Sequence, residues 1–299
     1  MTLQRANTWC WFMLRKVGDL TWHYHAGIMT FPIRAAVQYK IPLVIWGEHG
    51  YADMLGMYSY DDMVEFSKKL RQEHFMRGFE PADSLNAPEN TDIKPVHMAP
   101  FMYPSDDEIE SIGVRGIYVS NFYNWDQYAH TKLVIDQYNF ETALSRERTH
   151  HLYDKLDDIH ANGAHDYLKY LKFGYGRATD DASNDIRNGR LTREEGIEMV
   201  KKHDHVRPSD LDIWLTFVDM TEEEFLASVD PLRDSQIWEK DETGKWRMLD
   251  SIANHVNDPG VDAVRVPLTG NREILKSSNQ PEVDPRHDHL PEDREYVWL

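Results

Sequence analysis

The chain has 299 residues, 41% hydrophobic and 12% aromatic, a composition that builds a substantial core and excludes a wholly disordered protein. Its formal net charge of −18 opposes attraction to phosphate backbones and no local basic face offsets it, so small-molecule or protein partners are expected and no nucleic acid. No apolar run reaches the roughly 18 residues of a bilayer span, and the start MTLQRANTWCWFMLRKVGD lacks the pattern of a secretory signal; no membrane role and a cytoplasmic location are expected.

In chain order, residues 2 to 17 predict a helix. Cys10, the sole cysteine, has no disulfide or CxxC partner and is expected as a small buried residue. After Gly18 and Asp19, TWHYHAGIMTFPIRAAVQYK predicts a turn leading into a second helix, with Pro32 near its first turn. IPLVIWGEHG is a short apolar run bounded by Pro42 and Gly47, which predicts a strand buried on both faces of a parallel sheet. Open α/β sheets bind ligands just beyond the carboxyl ends of such strands, so Glu48 and His49 are candidate reaction-edge residues.

Residues 60 to 78 predict a helix and 81 to 97 a connection. Ser105 followed by DDEIESIG predicts a short capped helix, and GIYVSNF at 116 to 122 a second buried strand. Helices are then predicted over 125–139, 164–172, 178–188, 192–203, 209–219 and 221–229, with Thr192 and Glu195 forming a capping box and Thr221 capping EEEF. An extended tail is expected from about Asn257. Two strands do not make a stable sheet, so the sheet reads as incomplete.

Several polar groups are candidates for chemistry. His23 and His25 in WHYH would point the same way on an extended segment, but no carboxylate or cysteine stands at a familiar ligand spacing, so ordinary hydrogen-bonded histidines are preferred, a pocket-shaping role comes next and no metal is expected. In SNFYNWDQY, Asn121 and Asp126 flank the aromatic face of Trp125, a mixture suited to sugars or nucleotides, although an N-cap at Asn124 accounts for part of it. In FGYGRATDDASNDIRNGRLTREEG, Arg177, Arg187 and Arg190 could grip a carboxylate or phosphate. Asp180, Asp181 and Asp185 stand close enough on the same helix to neutralise them instead. GNREILKSS at 270 to 278 fails the spacing of a phosphate loop.

Three blocks carry a resemblance: VGDLTWHYHAGIMTFPIRAAVQYKIPLVIWGE, YPSDDEIESIGVRGIYVSNFYNWDQY and HDYLKYLKFGYGRATDDASNDIRNGRLTREEGIEMVKKHD, followed by MTEEEF. Colinear over about residues 15 to 250, they resemble the N-acetyl sugar amidotransferases of bacterial surface-polysaccharide and O-antigen synthesis, relatives of the PP-loop ATP pyrophosphatases. The resemblance implies an incomplete Rossmann-like, adenine nucleotide alpha hydrolase-like parallel sheet in residues 1–150, a mainly α-helical region in 151–256 and a tail in 257–299. It also implies ATP and Mg2+, a nucleotide-linked N-acetyl sugar, and ammonia from a glutaminase and synthase-like pair. Carried onto this chain, it makes Glu48 and His49 catalytic candidates. Trp22, His23, His25, Asn121, Trp125, Asp126, Arg177 and Asp181 become substrate-binding candidates, and Arg187 and Arg190 structural ones. Family members carry a cysteine-rich segment and an SGGKDS-type loop ahead of these blocks, and neither occurs in this sequence. Three readings follow: one half of a split enzyme with a separate PP-loop chain, a truncated frame, or a non-catalytic sugar-binding or scaffold protein.

Overall fold

A computed structural model of the chain describes residues 3–47, 65–81, 93–123, 125–142, 146–153 and 161–258. Glu48 and His49, Asn124, the GNREILKSS segment and the tail beyond 258 lie outside the described residues. Two compact units result, one from the described residues of Met1–Thr21 and Asp126–Asp262, the other from those of Trp22–Trp125. The first unit opens with α1 (Leu3–Val17), which ends in Arg15 and Lys16 where the helix dipole favours cations. Cys10 is buried there, as its apolar character predicts.

In the second unit, α2 (Trp22–Tyr39) begins at Trp22 itself, so Pro32 lies inside the helix and not near its first turn. The strand β1 (Leu43–Trp46) pairs in parallel with β2 (Arg115–Tyr118), Leu43 opposite Arg115 and Trp46 opposite Tyr118. Of the helix predicted over 60 to 78, residues 60–64 lie outside the described residues, and residues 65–66 meet the strands instead. Glu65 bridges Ile117 and ion-pairs with Arg115, Phe66 donates its N–H to the Gly116 carbonyl at 2.9 Å, and a π-helical turn forms only over Leu70–Phe75. Gly116 is required by this approach, because a Cβ there would stand 2.6 Å from the Phe66 Cβ and from the Trp46 ring. A short α3 (Pro95–Met98) breaks the predicted connection, and α4 (Asp106–Ile112) carries the predicted cap at Ser105, which Glu108 completes as a capping box.

The core of this unit joins Ile33 and Ala36 of α2 to Phe66, Leu70, Ile109, Val114 and Tyr118. One face of β1 packs there through Val44 and Trp46, while Leu43 and Ile45 are 44% and 56% exposed. The expected burial on both faces is therefore corrected: the β1 register turns alternate residues outward, and no described layer covers them. The arrangement is mixed α/β and mostly helical, and the described residues hold a small parallel sheet of two strands and no complete doubly wound sheet.

The first unit resumes with α5 (Gln127–Tyr138), α6 (Asn162–Phe173), α7 (Arg177–Arg187), α8 (Arg193–His203), α9 (Leu211–Val218) and α10 (Glu222–Val229), close to the predicted spans. Its core gathers Cys10 and Leu14 of α1 with Leu168, Trp214, Leu215, Phe225 and Val229. Close packing of α7 on α8 is permitted by Gly196, whose missing Cβ would lie 2.8 Å from Ile186 Cδ1 and 3.4 Å from Ala182 Cβ. An unpredicted hairpin follows, β3 (Trp238–Lys240) and β4 (Trp246–Met248), antiparallel with Trp238 opposite Met248. Its turn is built on Asp241, which accepts from Thr243 N and Lys245 N at 2.8 and 3.0 Å, and on Gly244 at φ +81°. Among the described residues no helix is long and apolar enough to cross a membrane.

Candidate functional site

The segment FGYGRATDDA forms the junction between α6 and α7. Gly174 ends α6 in the left-handed region at φ +74°. Gly176 N and Ala178 N then donate to the Asp204 carboxylate, both at 2.9 Å, with the Thr179 hydroxyl at 2.6 Å. A helix N-terminus attracts anions, and the start of α7 takes its own from Asp204. A Cβ on Gly176 would stand 2.7 Å from Arg148 Nη2 and 2.9 Å from Asp204 Oδ1, so the second glycine keeps this cap open.

Arg177 then turns inward and grips Asp166 of α6 with two parallel bonds, Nε to Oδ2 at 3.0 Å and Nη2 to Oδ1 at 2.8 Å. Both residues are buried. Burial pushes the Asp166 carboxyl up, but the charge of Arg177 and the hydrogen bonds from His165 and Arg177 outweigh it and hold the carboxyl well below the usual range. Lys169 neutralises Asp180 at 2.7 Å. This side of α7 is thus a closed framework of buried charges. Arg177 could grip a substrate carboxylate only by giving up Asp166.

Asp181 and Asp185, four residues apart, share another face of α7, crossed by the stretch from Thr149 to Tyr153. Thr149 donates its hydroxyl to Asp181, and His151 Nδ1 faces the same Asp181 oxygen at 3.8 Å. His150 Nε2 and His151 Nε2 both reach Asp185 Oδ2, at 2.7 and 2.9 Å. The other oxygen, Oδ1, accepts from Arg190 Nε at 2.7 Å, and Arg190 Nη1 reaches Asp126 at 2.7 Å. The Arg190 guanidinium also lies over the Tyr128 ring, 4.8 Å from its centroid. Burial raises the Asp185 carboxyl, yet hydrogen bonds from His150, His151 and Arg190 together hold it well below the ordinary range. Burial, and then the charges of Asp181 and Asp185, push the Tyr153 phenol up and keep it protonated.

Asp126 has two roles here that the sequence left apart. It caps α5, accepting from Ala129 N at 3.3 Å, and it anchors Arg190. The cap expected at Asn124 therefore falls on Asp126. Arg190 thereby links Asp126 to Asp185, and Arg187 bonds within its own helix to Ser183 and Asn184. His150, His151 and Asp185 were missed as a group because 34 residues separate His151 from its carboxylate. The adjacent pair THH, opposite acidic residues four apart, was the available signal.

The other predicted residues belong to the second unit. Trp22 is fully buried and donates its indole N–H to the Met76 carbonyl at 3.0 Å, with Phe79 and Phe101 against its ring. His23 is buried and His25 partly so. Because they lie on α2 and not on an extended segment, their Cα–Cβ bonds stand about 160° apart around the helix axis and the rings do not face one way. Asn121 sits in a 3-10 turn, Val119–Asn121, directly after β2. Gly47 follows β1, its carbonyl accepting from Ser120 N at 3.1 Å, and the Trp125 ring lies 3.1 Å from where a Gly47 Cβ would stand. Asn121 and Trp125 are thus held at the carboxyl edge of the two parallel strands, where ligands bind in α/β sheets.

Around α7 the first unit is a helical domain built on internal ion pairs, with a histidine and carboxylate face beside them. Residues 151–253, from His151 through the hairpin, match the family model described as LPS biosynthesis protein WbpG-like, C-terminal domain. This part of the chain is therefore similar to that domain, in keeping with the surface-polysaccharide resemblance carried by its motifs. No curated protein matches the chain.

Proposed function

We propose that the chain acts in lipopolysaccharide biosynthesis as the carboxyl-terminal part of an ATP-dependent N-acetyl sugar amidotransferase. The observation that carries this reading is the WbpG-like match over residues 151–253, which contains the GYGRATDDA junction. In the reaction, an N-acetyl or carboxyl oxygen of a nucleotide-linked sugar attacks the α-phosphate of ATP and pyrophosphate leaves. Ammonia then adds to the activated carbon, the C–O bond to AMP breaks and a proton is released, giving an amidine or an amide.

The residues assigned to the sugar are Asn121 and Trp125 at the sheet edge, with His25 on α2 and Glu48 and His49 next in sequence after β1. Trp22 and His23 shape this region from within the core, and Arg177, Asp181 and Asp126 fix α7 and the start of α5. The reading implies ATP with Mg2+, and the described residues fit the phosphates poorly. The starts of α4, α5, α6, α7, α8 and α10 are occupied by Glu108, Asp126, Asp210, Asp204, Glu195 and Glu224 of the chain itself. The phosphate-binding loop is therefore assigned to residues other than these, with ammonia supplied by a glutaminase and synthase-like pair.

Sugar-dependent conversion of ATP to AMP, with ammonium supplied, tests the reading. No turnover is expected from the chain alone, and turnover is expected once a chain bearing an SGGKDS-type loop is added. Robust turnover by the chain alone would overturn the placement of the phosphate site. Failure to turn over with any such partner, together with no binding of nucleotide-linked N-acetyl sugars by calorimetry, would overturn the amidotransfer.

A further inference from the structure

We propose that His150, His151 and Asp185 form a binding site for a divalent transition-metal ion of the zinc class, with a fourth position left to water or a substrate oxygen. One ligand atom from each lies within 4.8 Å of the others, and the two imidazoles converge on a single carboxylate oxygen. Two histidines and a carboxylate are the donors of an open zinc site, where three protein ligands leave one place vacant. The inference does not depend on the amidotransferase reading.

The surroundings favour a cation over simple hydrogen bonding. If both rings donate Nε2–H to Asp185, each keeps an unprotonated Nδ1, and neither Nδ1 has a hydrogen-bond partner, although His151 is 95% buried as 5% of it is exposed. Metal binding reverses this tautomer: Nε2 gives its lone pair to the ion and Nδ1 carries the proton. For His151 that proton then faces Asp181 Oδ2, at 3.8 Å and itself fixed by Thr149; closing that gap by about 1 Å on binding would complete the carboxylate–histidine–metal arrangement of natural sites. Asp185 is supported likewise, since Arg190 holds the oxygen that the histidines leave.

Charge points the same way. Asp126, Asp181 and Asp185 are three carboxylates, and Arg190 is the guanidinium hydrogen-bonded to two of them. Distances set the adjustment required. Ligand atoms about 2.0–2.1 Å from a tetrahedral zinc stand roughly 3.3 Å apart, whereas the nitrogens lie 2.7 and 2.9 Å from Asp185 Oδ2. His150, the more exposed ring at 17%, can supply most of that opening.

The test uses the full chain, free of any affinity tag and stripped with a chelator, titrated with Zn2+ and separately with Co2+. One ion per chain is expected, with Co2+ giving the visible absorption of a four-coordinate site. His150→Ala is expected to weaken Zn2+ binding by at least about 100-fold, and Asp181→Asn by about 10–100-fold, the range for loss of an outer-shell partner. His255→Ala, at an exposed ring between Asp250 and Asp258, is expected to leave it unchanged. Thermal melting of the metal-free variants checks the fold, and His150→Ala carries the test if Asp181→Asn melts early. Absence of stoichiometric binding by the unaltered chain, or equal affinity in His150→Ala, would overturn the site and leave the group as hydrogen-bonded side chains.

Discussion

Arg177 and Asp166 show how a single pair commits a residue. Each is buried, and each is satisfied by the other through a fork that no lysine could reproduce. Arg177→Met leaves a buried carboxylate without its countercharge, and unfolding by urea is expected to show a loss of about 3–5 kcal/mol at neutral pH. The pH dependence follows from the depressed Asp166 carboxyl. A group depressed on folding contributes stability that is present above its unfolded value of about 3.9 and lost as pH falls through its folded value. The gap between the unaltered chain and Arg177→Met is therefore expected to narrow as melting is followed from pH about 7 to about 3. A gap that widens on acidification would contradict the ion pair as its source.

Among the elements, the helix starts are the most legible and the most easily tested. Ser105, Thr192 and Thr221 each accept from the N–H three residues on, and Glu108, Glu195 and Glu224 return the bond. The Thr192 and Thr221 boxes and the cap at Ser105 were legible in the sequence because the motif is local. Thr192→Ala and Thr221→Ala are each expected to cost about 1 kcal/mol in denaturant unfolding. Gly116 belongs to the opposite case. Nothing around it in sequence announces that Phe66 and Trp46 will crowd its α-carbon, yet Gly116→Ala places a Cβ 2.6 Å from both. Overpacking of this kind costs about 1–3 kcal/mol, measurable as a lower melting temperature in the unit that holds the parallel strands. The hairpin of β3 and β4 was missed for a related reason: strands of three residues leave too little alternation to stand out, even beside a turn as plain as DETGK.

At the scale of the whole molecule, the WbpG-like region stands out for the carboxylates it buries. Asp166, Asp180, Asp181, Asp185 and Asp204 are all buried, and each meets a cation, a hydroxyl or a helix start. Burying so many carboxylates is unfavourable unless every one is matched, so substitutions within this network are expected not to add. A double-mutant cycle on Lys169→Met and Arg177→Met, on neighbouring carboxylates of the same junction, is expected to give a coupling of about 0.5–3 kcal/mol. Strict additivity would show the two pairs to be independent.

The sequence by itself determined the helices of the WbpG-like region, the parallel pairing of two apolar runs and the burial of Cys10, because periodicity, caps and apolar runs act within a few residues. It also marked GYGRATDDA as a segment with a purpose. Only the tertiary structure decided what that purpose is: Asp204, 28 residues from Gly176, supplies the anion that the helix start attracts, and Asp166, 11 residues back, claims Arg177. The same holds for His150 and His151, whose shared carboxylate lies a helix away. Charge pairing is set by distance in space and by the cost of leaving a buried charge alone, and spacing along the chain records neither.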